Sequence, residues 1–256
     1  MTAAGGVLRV LGRTAAAATL DLASGGVRAA EALTDAGTGR ISTPGTLRVE
    51  VILLSDERGR PVADPASVAP ALTTADRALT GGAGVRVRVT GVRVVPTPAP
   101  AAALDARANR ALLLDDIIGR TGFYRRHSSA GVAPGVGSPV TVVVIRSITG
   151  RTTGCSLGLS ADWVIVEASL FDAGDPPHYD ETVLAHELGH ALNLPHHPDP
   201  DNLMFPASSP PDGLRGTGLT RWQAALIQAN RRVIPGVRRS GNPPTTGGGP
   251  RPRSSP

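Results

Sequence analysis

The sequence predicts an α/β fold in which a twisted, mixed sheet supports one functional helix. Three observations predict it. Strand-length runs of Val, Ile and Leu alternate with segments of helical spacing. Pro and Gly clusters punctuate the boundaries between them. A late segment, 183–192, carries two His residues four apart beside apolar residues at helical spacing.

Taken in order, residues 46–54 (TLRVEVILL) read as a buried strand, with β-branched and Leu residues in partial alternation. Residues 65–79 carry Val68, Leu72, Ala75 and Leu79 at helical spacing. Residues 85–95 (VRVRVTGVRVV) alternate, which predicts a strand with one solvated face. Residues 101–120 have helical composition, with Leu104, Ala108, Leu112 and Ile117 spaced along them. Residues 139–148 (PVTVVVIRSI) are a central-strand candidate, 150–158 a loop, and 161–169 (ADWVIVEAS) another short strand. Asp180 is placed to cap the helix that follows. Residues 219–233 form the last helix, with Leu219, Trp222, Leu226 and Ala229 on one stripe. These elements make one catalytic-size domain over 45–236. Residues 1–44, rich in Ala, Gly and Thr, read as an extension or pro-segment, and the Pro, Gly and Arg-rich residues 237–256 as a disordered tail.

Composition narrows the function. Hydrophobic residues make up 41% of the chain and aromatics 3%, so Val, Leu, Ile and Ala must build the core. All 26 basic residues are Arg, and the formal charge is +5. Such a charge can mark a nucleic-acid protein, but here the Arg residues are scattered apart from Arg231-Arg232 and Arg238-Arg239, which argues against it. No apolar run reaches the roughly 18 residues needed to cross a bilayer, so no membrane partner is expected. Arg9 and Arg13 precede the apolar run 14–20, which is too short and Ala-rich for a good secretory signal. Cys155 is the only cysteine, which precludes an intramolecular disulfide and leaves a small buried residue or a reactive thiol as its two readings.

The chemistry lies in His186-Glu187-Leu188-Gly189-His190-Ala191-Leu192-Asn193-Leu194-Pro195-His196. H-E-x-x-H on a helix puts two imidazoles on one face, and a third His six residues on completes the three nitrogens of a catalytic zinc site. Glu187, beside the first ligand, is placed to act as general base on a water at the open fourth position. Gly189 costs roughly 1 kcal/mol in a helix relative to Ala, so it is expected to relieve a close contact. Asn193 stands where the chain must turn back toward the metal, a turn that suits a left-handed residue. No Glu follows Glu187, which excludes a later Glu as third ligand. Asp199, Asp201 and Asp212 remain alternatives to His196, and His197 reads as a solvated or supporting neighbour.

These residues resemble the long zinc signature of the metzincin metallopeptidases, H-E-x-x-H-x-x-G-x-x-H, with Asn193 where the family has Gly. Asn202 to Pro206 (NLMFP) resembles the family's Met-turn, and its spacing is most similar to that of the matrixins. The resemblance implies a zincin-type fold, with a mostly parallel sheet, an antiparallel edge strand along the substrate cleft and a C-terminal helix. It implies that His186, His190 and His196 hold one zinc ion, that Glu187 is the base and that Met204 lies beneath the metal. It places the substrate-binding edge strand at 161–169 and points to an extracellular enzyme. Six His are too few for the second, structural zinc of matrixins, and their Pro-Arg-Cys-Gly switch is missing. Tyr124 and Tyr179 both precede the Met-turn, which leaves oxyanion stabilisation to zinc and backbone groups.

The expected function is a monomeric zinc metalloendopeptidase that hydrolyses internal bonds of protein or peptide substrates. A zinc hydrolase of non-peptide amides carries the same motif. A catalytically silent zincin-like binding domain is the third reading, and the intact ligands and base argue against it.

Overall fold

The structure is a computed structural model that describes residues 44–104, 123–128, 137–149, 154–156, 163–174, 178–206 and 215–236. The expected N-terminal extension, most of the helix expected over 101–120, and the tail from 237 lie outside the described residues.

The sheet begins with β1 (Gly45–Leu54), which runs through a 3-10 turn (Pro65–Val68) and α1 (Ala69–Ala83) into the parallel β2 (Val85–Val95). Asp64 starts this turn by accepting from Ala66 N, and Gly84, at φ 62°, ends α1. A short helix α2 (Phe123–His127) precedes β3 (Val140–Ile145), β4 (Gly154–Ser156) and β5 (Trp163–Glu167). The helix α3 (Val183–Ala191), which carries His186 and His190, then α4 (Arg221–Ala229) and the two-residue β6 (Val233–Ile234), complete the order. The strands run β2-β1-β3-β5-β4, with β6 antiparallel to the start of β1. β1, β2, β3 and β5 are mutually parallel, and β4 is antiparallel to β5.

The continuous apolar runs of β1 and β3 follow from burial on both faces of a parallel sheet. Leu47, Val49, Val51, Leu53, Val142 and Val144 pack against α1 and α3. Ile52, Leu54, Val143, Ile145 and Ile165 face a second core with Phe123, Tyr124 and Trp163. Among the described residues, no helix is long and apolar enough to cross a membrane.

Five expectations are corrected. The segment 161–169 is not at the sheet edge: β5 lies between β3 and β4, and the edge belongs to the Gly-Cys-Ser strand at 154–156. That strand was expected as loop, because three small residues show no alternation to read. β2 is exposed along 88–94 rather than on one face only. It ends the sheet, and a register shift between Val49 and Glu50 of β1 breaks its alternation. The stripe expected on the last helix is wrong at Trp222, which is 59% exposed, whereas Gln223 and Ile227 are buried. Thr220 and Gln223 form a capping box that sets the start and rotation of α4. Asp180, finally, is not the helix cap, as its role in the site shows.

Candidate metal centre

Asp180 sits two residues before the cap of α3, which is Thr182. Its Oδ1 accepts from Thr182 N at 2.8 Å and from Thr182 Oγ1 at 2.6 Å, so it orders the turn that leads into the helix. Val183, Leu184, Leu188 and Leu192 are buried, and they anchor α3 against the sheet and α1. At the other end the buried Arg232 guanidinium donates to Ala191 O, one of the carbonyls a helix leaves unpaired. Asn193 then takes φ 69°, the single left-handed non-glycine residue among the described residues. Leu194 N returns to Gly189 O at 3.0 Å, and the chain turns back over the helix.

This turn brings His196 to the two helical histidines. His190 Nε2 lies 3.1 Å from His186 Nε2 and 3.1 Å from His196 Nε2. His186 Nδ1 donates to Leu203 O and His190 Nδ1 to Leu194 O, each at 2.8 Å. A carbonyl only accepts, so both protons sit on Nδ1 and both Nε2 atoms present lone pairs. Two lone pairs facing each other at 3.1 Å repel, and a cation between them removes the conflict. Nitrogens about 2.0–2.1 Å from one tetrahedral zinc lie about 3.4 Å apart, close to the spacing here. Burial, then the charge of Arg215, lowers the pKa of His186 to about 3. Burial also lowers His190 and His196. All three are therefore neutral at pH 7, the form a metal binds.

Among the described residues, the group able to hold a metal is His186, His190 and His196. Asp199 and Asp201 are not in it: Asp199 Oδ1 is occupied by Asp201 N at 3.0 Å. His197 instead accepts from Asp199 N through its Nδ1 at 3.2 Å. Asp212 lies outside the described residues.

Glu187 is buried at 5% exposure, and its Oε2 has no hydrogen-bond partner. Burial raises its pKa to about 8, opposed by the charge of Arg215. A carboxylate held near the working pH is suited to proton transfer. The fully buried Met204 places its Sδ against Gly189, where a Cβ would collide with it. Asn202 fixes that turn: its Oδ1 accepts from Met204 N at 2.9 Å, and its amide pairs with Gln223 through contacts of 2.8 and 3.1 Å. Tyr179 donates to Glu181 at 3.1 Å, and Tyr124 lies in the second core.

Three residues here escaped the sequence reading. Gly154 of β4 has its missing Cβ position 2.6 Å from Glu187 Oε1 and 2.9 Å from Cδ, so β4 can lie against the carboxylate only as glycine. Gln223 carried a readable signal, the Thr220-x-x-Gln223 capping pattern, but its second bond to Asn202 is long-range. Arg215, 7% exposed, sits near the site as one Arg among 26, and nothing local distinguishes it.

No family model matches the chain, and no curated protein matches it. Solved structures do. Metalloproteinase-II from Bacteroides fragilis is 14% identical over 75% of this chain and 55% of its own, with a TM-score of 0.44. Archaemetzincin from Methanopyrus kandleri is 20% identical over 72% of this chain and 94% of its own, with a TM-score of 0.43. The chain thus spans about half the length of the Bacteroides protein, at 55%. At such identities and scores neither likeness adds weight to the site, whose reading rests on its own geometry.

Proposed function

We propose that this protein is a zinc-dependent metalloendopeptidase, with His186, His190 and His196 as the zinc ligands and Glu187 as the general base. The observation that carries the reading is the convergence of three neutral imidazoles, two of them with lone pairs turned inward by their Nδ1–H bonds, beside a buried carboxylate with a free oxygen. His186, His190 and His196 would hold the zinc ion, which would supply Lewis acidity toward a scissile carbonyl and lower the pKa of the attacking water. Glu187 takes a proton from the attacking water and passes it to the leaving nitrogen. Leu203 O and Leu194 O hold the two helical rings in orientation, and Met204 with Gly189 closes the floor below them.

Among the described residues β4 is an edge strand of the sheet, and it is the place for an extended substrate, in place of the 161–169 segment expected from the sequence. An edge strand holds a peptide by main-chain bonds, and Gly154 brings this edge against Glu187.

Metal analysis of the purified protein, with a casein digest in the presence and absence of a chelator, tests the reading. One zinc per chain and chelator-sensitive cleavage are expected. Stoichiometric zinc with hydrolysis of small non-peptide amides alone would reassign the substrate class, and absence of zinc would reject the site.

Gly154→Ala tests the contact between β4 and the base. Its new Cβ displaces the Glu187 carboxylate, and a displacement of about 1 Å costs on the order of 100-fold in rate. We expect zinc content to hold while kcat falls, and an unchanged kcat would show that the carboxylate relocates without cost.

A further inference from the structure

The buried guanidinium of Arg215 has no role in the mechanism above. Its side chain is 5% exposed, and its nearest charge is Asp180 Oδ2, 3.6 Å from Nη2, beyond hydrogen-bond distance. Its Nε and Nη1 are buried without a partner. Buried donors left unmade are costly, and a guanidinium carries five of them in a fixed fork. Asp180 Oδ1 is taken up by Thr182, so only Oδ2 of this carboxylate faces Arg215.

The backbone sets Arg215 beside the metal centre. Gly216 N donates to Pro200 O at 2.8 Å, and the Gly216 backbone lies so close to Asp201 O that no Cβ fits. Two residues on, Gly218 O accepts from Leu203 N at 2.9 Å, and Leu203 O is the carbonyl that orients His186. The segment 215–218 is therefore two hydrogen bonds, through Leu203, from a proposed zinc ligand. From there the Arg215 charge acts on Glu187 and on all three histidines.

We propose that Arg215 is a specificity residue that receives a carboxylate of the substrate, so that the enzyme favours cleavage beside an acidic group. The inference rests on the peptidase reading of the same site. The planar guanidinium matches a carboxylate, and the pairing is strongest where water is excluded. With zinc on three neutral histidines, the charges of Arg215, Asp180 and Glu187 leave the site net positive, so an incoming carboxylate is attracted. The group arrives as a Glu or Asp side chain near the scissile bond or as the free carboxylate of a chain end.

The test uses the zinc-loaded full chain and two peptide sets with one cleavage site. In the first, blocked at both ends, Glu or Gln occupies each flanking position in turn; in the second, neutral peptides end in a free carboxylate or an amide. The wild type should prefer one Glu peptide over its Gln twin, or the free acid over the amide, by roughly 10-fold or more in kcat/KM. Arg215→Gln should abolish the preference and Arg215→Lys weaken it. The double variant Asp180→Asn/Arg215→Gln, which leaves no stray buried charge, should also lack it, with zinc content reporting the intact site in each variant. Binding of the fluorescent acidic peptide and its neutral twin to the zinc-loaded Glu187→Gln protein gives a readout apart from turnover. Equal cleavage of acidic and neutral peptides by the wild type, or an equal loss on both in Arg215→Gln, overturns the proposal. If no peptide is cut, the peptidase reading fails on its own, and the binding comparison still decides whether Arg215 selects a carboxylate.

Discussion

Glu187→Gln should retain its zinc and lose peptidase activity by about 100-fold or more, the usual contribution of a general base. The amide keeps the shape of the side chain against Gly154 and removes only the proton-accepting function. Stability should move the other way. Burial raises the Glu187 pKa from 4.5 to about 8, with the Arg215 charge opposing, so the folded chelator-treated protein binds a proton more tightly than the unfolded chain. The stability this gives is fully present below pH 4.5 and is lost as pH rises through about 8. Gln does not titrate, so chelator-treated Glu187→Gln should gain in melting temperature on the wild type across that window. Loss of zinc in Glu187→Gln would make the residue structural and remove it as base. Parallel melting curves across pH for the two proteins would show that the carboxylate is solvated.

The fold was legible where burial repeats along the chain and obscure where contacts are long-range. α1 was readable because its Leu and Ala keep a helical spacing, and β1 and β2 because they are long runs rich in β-branched residues, although the alternation read in β2 does not last. β4 was not, since Gly154-Cys155-Ser156 is a strand only through its pairing with Val164 to Val166. Placing the edge one strand inward, at β5 instead of β4, followed directly: β5 has the longer apolar run, and the strand that covers it has none. The direction of the last helix failed for a related reason. Trp222 outranks Gln223 on hydrophobicity, yet the Gln223 amide has a buried partner in Asn202, 21 residues away. At the site, His186, Glu187, His190 and His196 were nameable because their chemistry fixes both residue type and spacing. Asn193 was nameable because a left-handed turn restricts the residue. Gly154 and Arg215 do their work across the fold, and a glycine among 31 or an arginine among 26 carries no local mark.

The largest loss is expected from removing a histidine. His190 Nε2 is 3.1 Å from both of the other Nε2 atoms and so stands at the centre of the triad. Two nitrogens fall short of the three protein ligands a catalytic zinc site uses, so His190→Ala should abolish zinc binding and with it all hydrolysis. His186→Ala should do the same and also free Leu203 O, a buried carbonyl that then lacks its ring donor. His196→Ala is the sharper test, because His196 is the proposed ligand that arrives from a loop and has His197 beside it. For His197 to replace it, the ring must give up Asp199 N, held at 3.2 Å, while His197 N stays fixed to Met204 O at 2.9 Å. That tether makes substitution costly, and elemental analysis of His196→Ala should find little zinc. Full zinc in His196→Ala that is lost only in the His196→Ala/His197→Ala double variant would move the third ligand to His197. Full zinc in the double variant as well would return the Asp residues at 199, 201 and 212 as candidates.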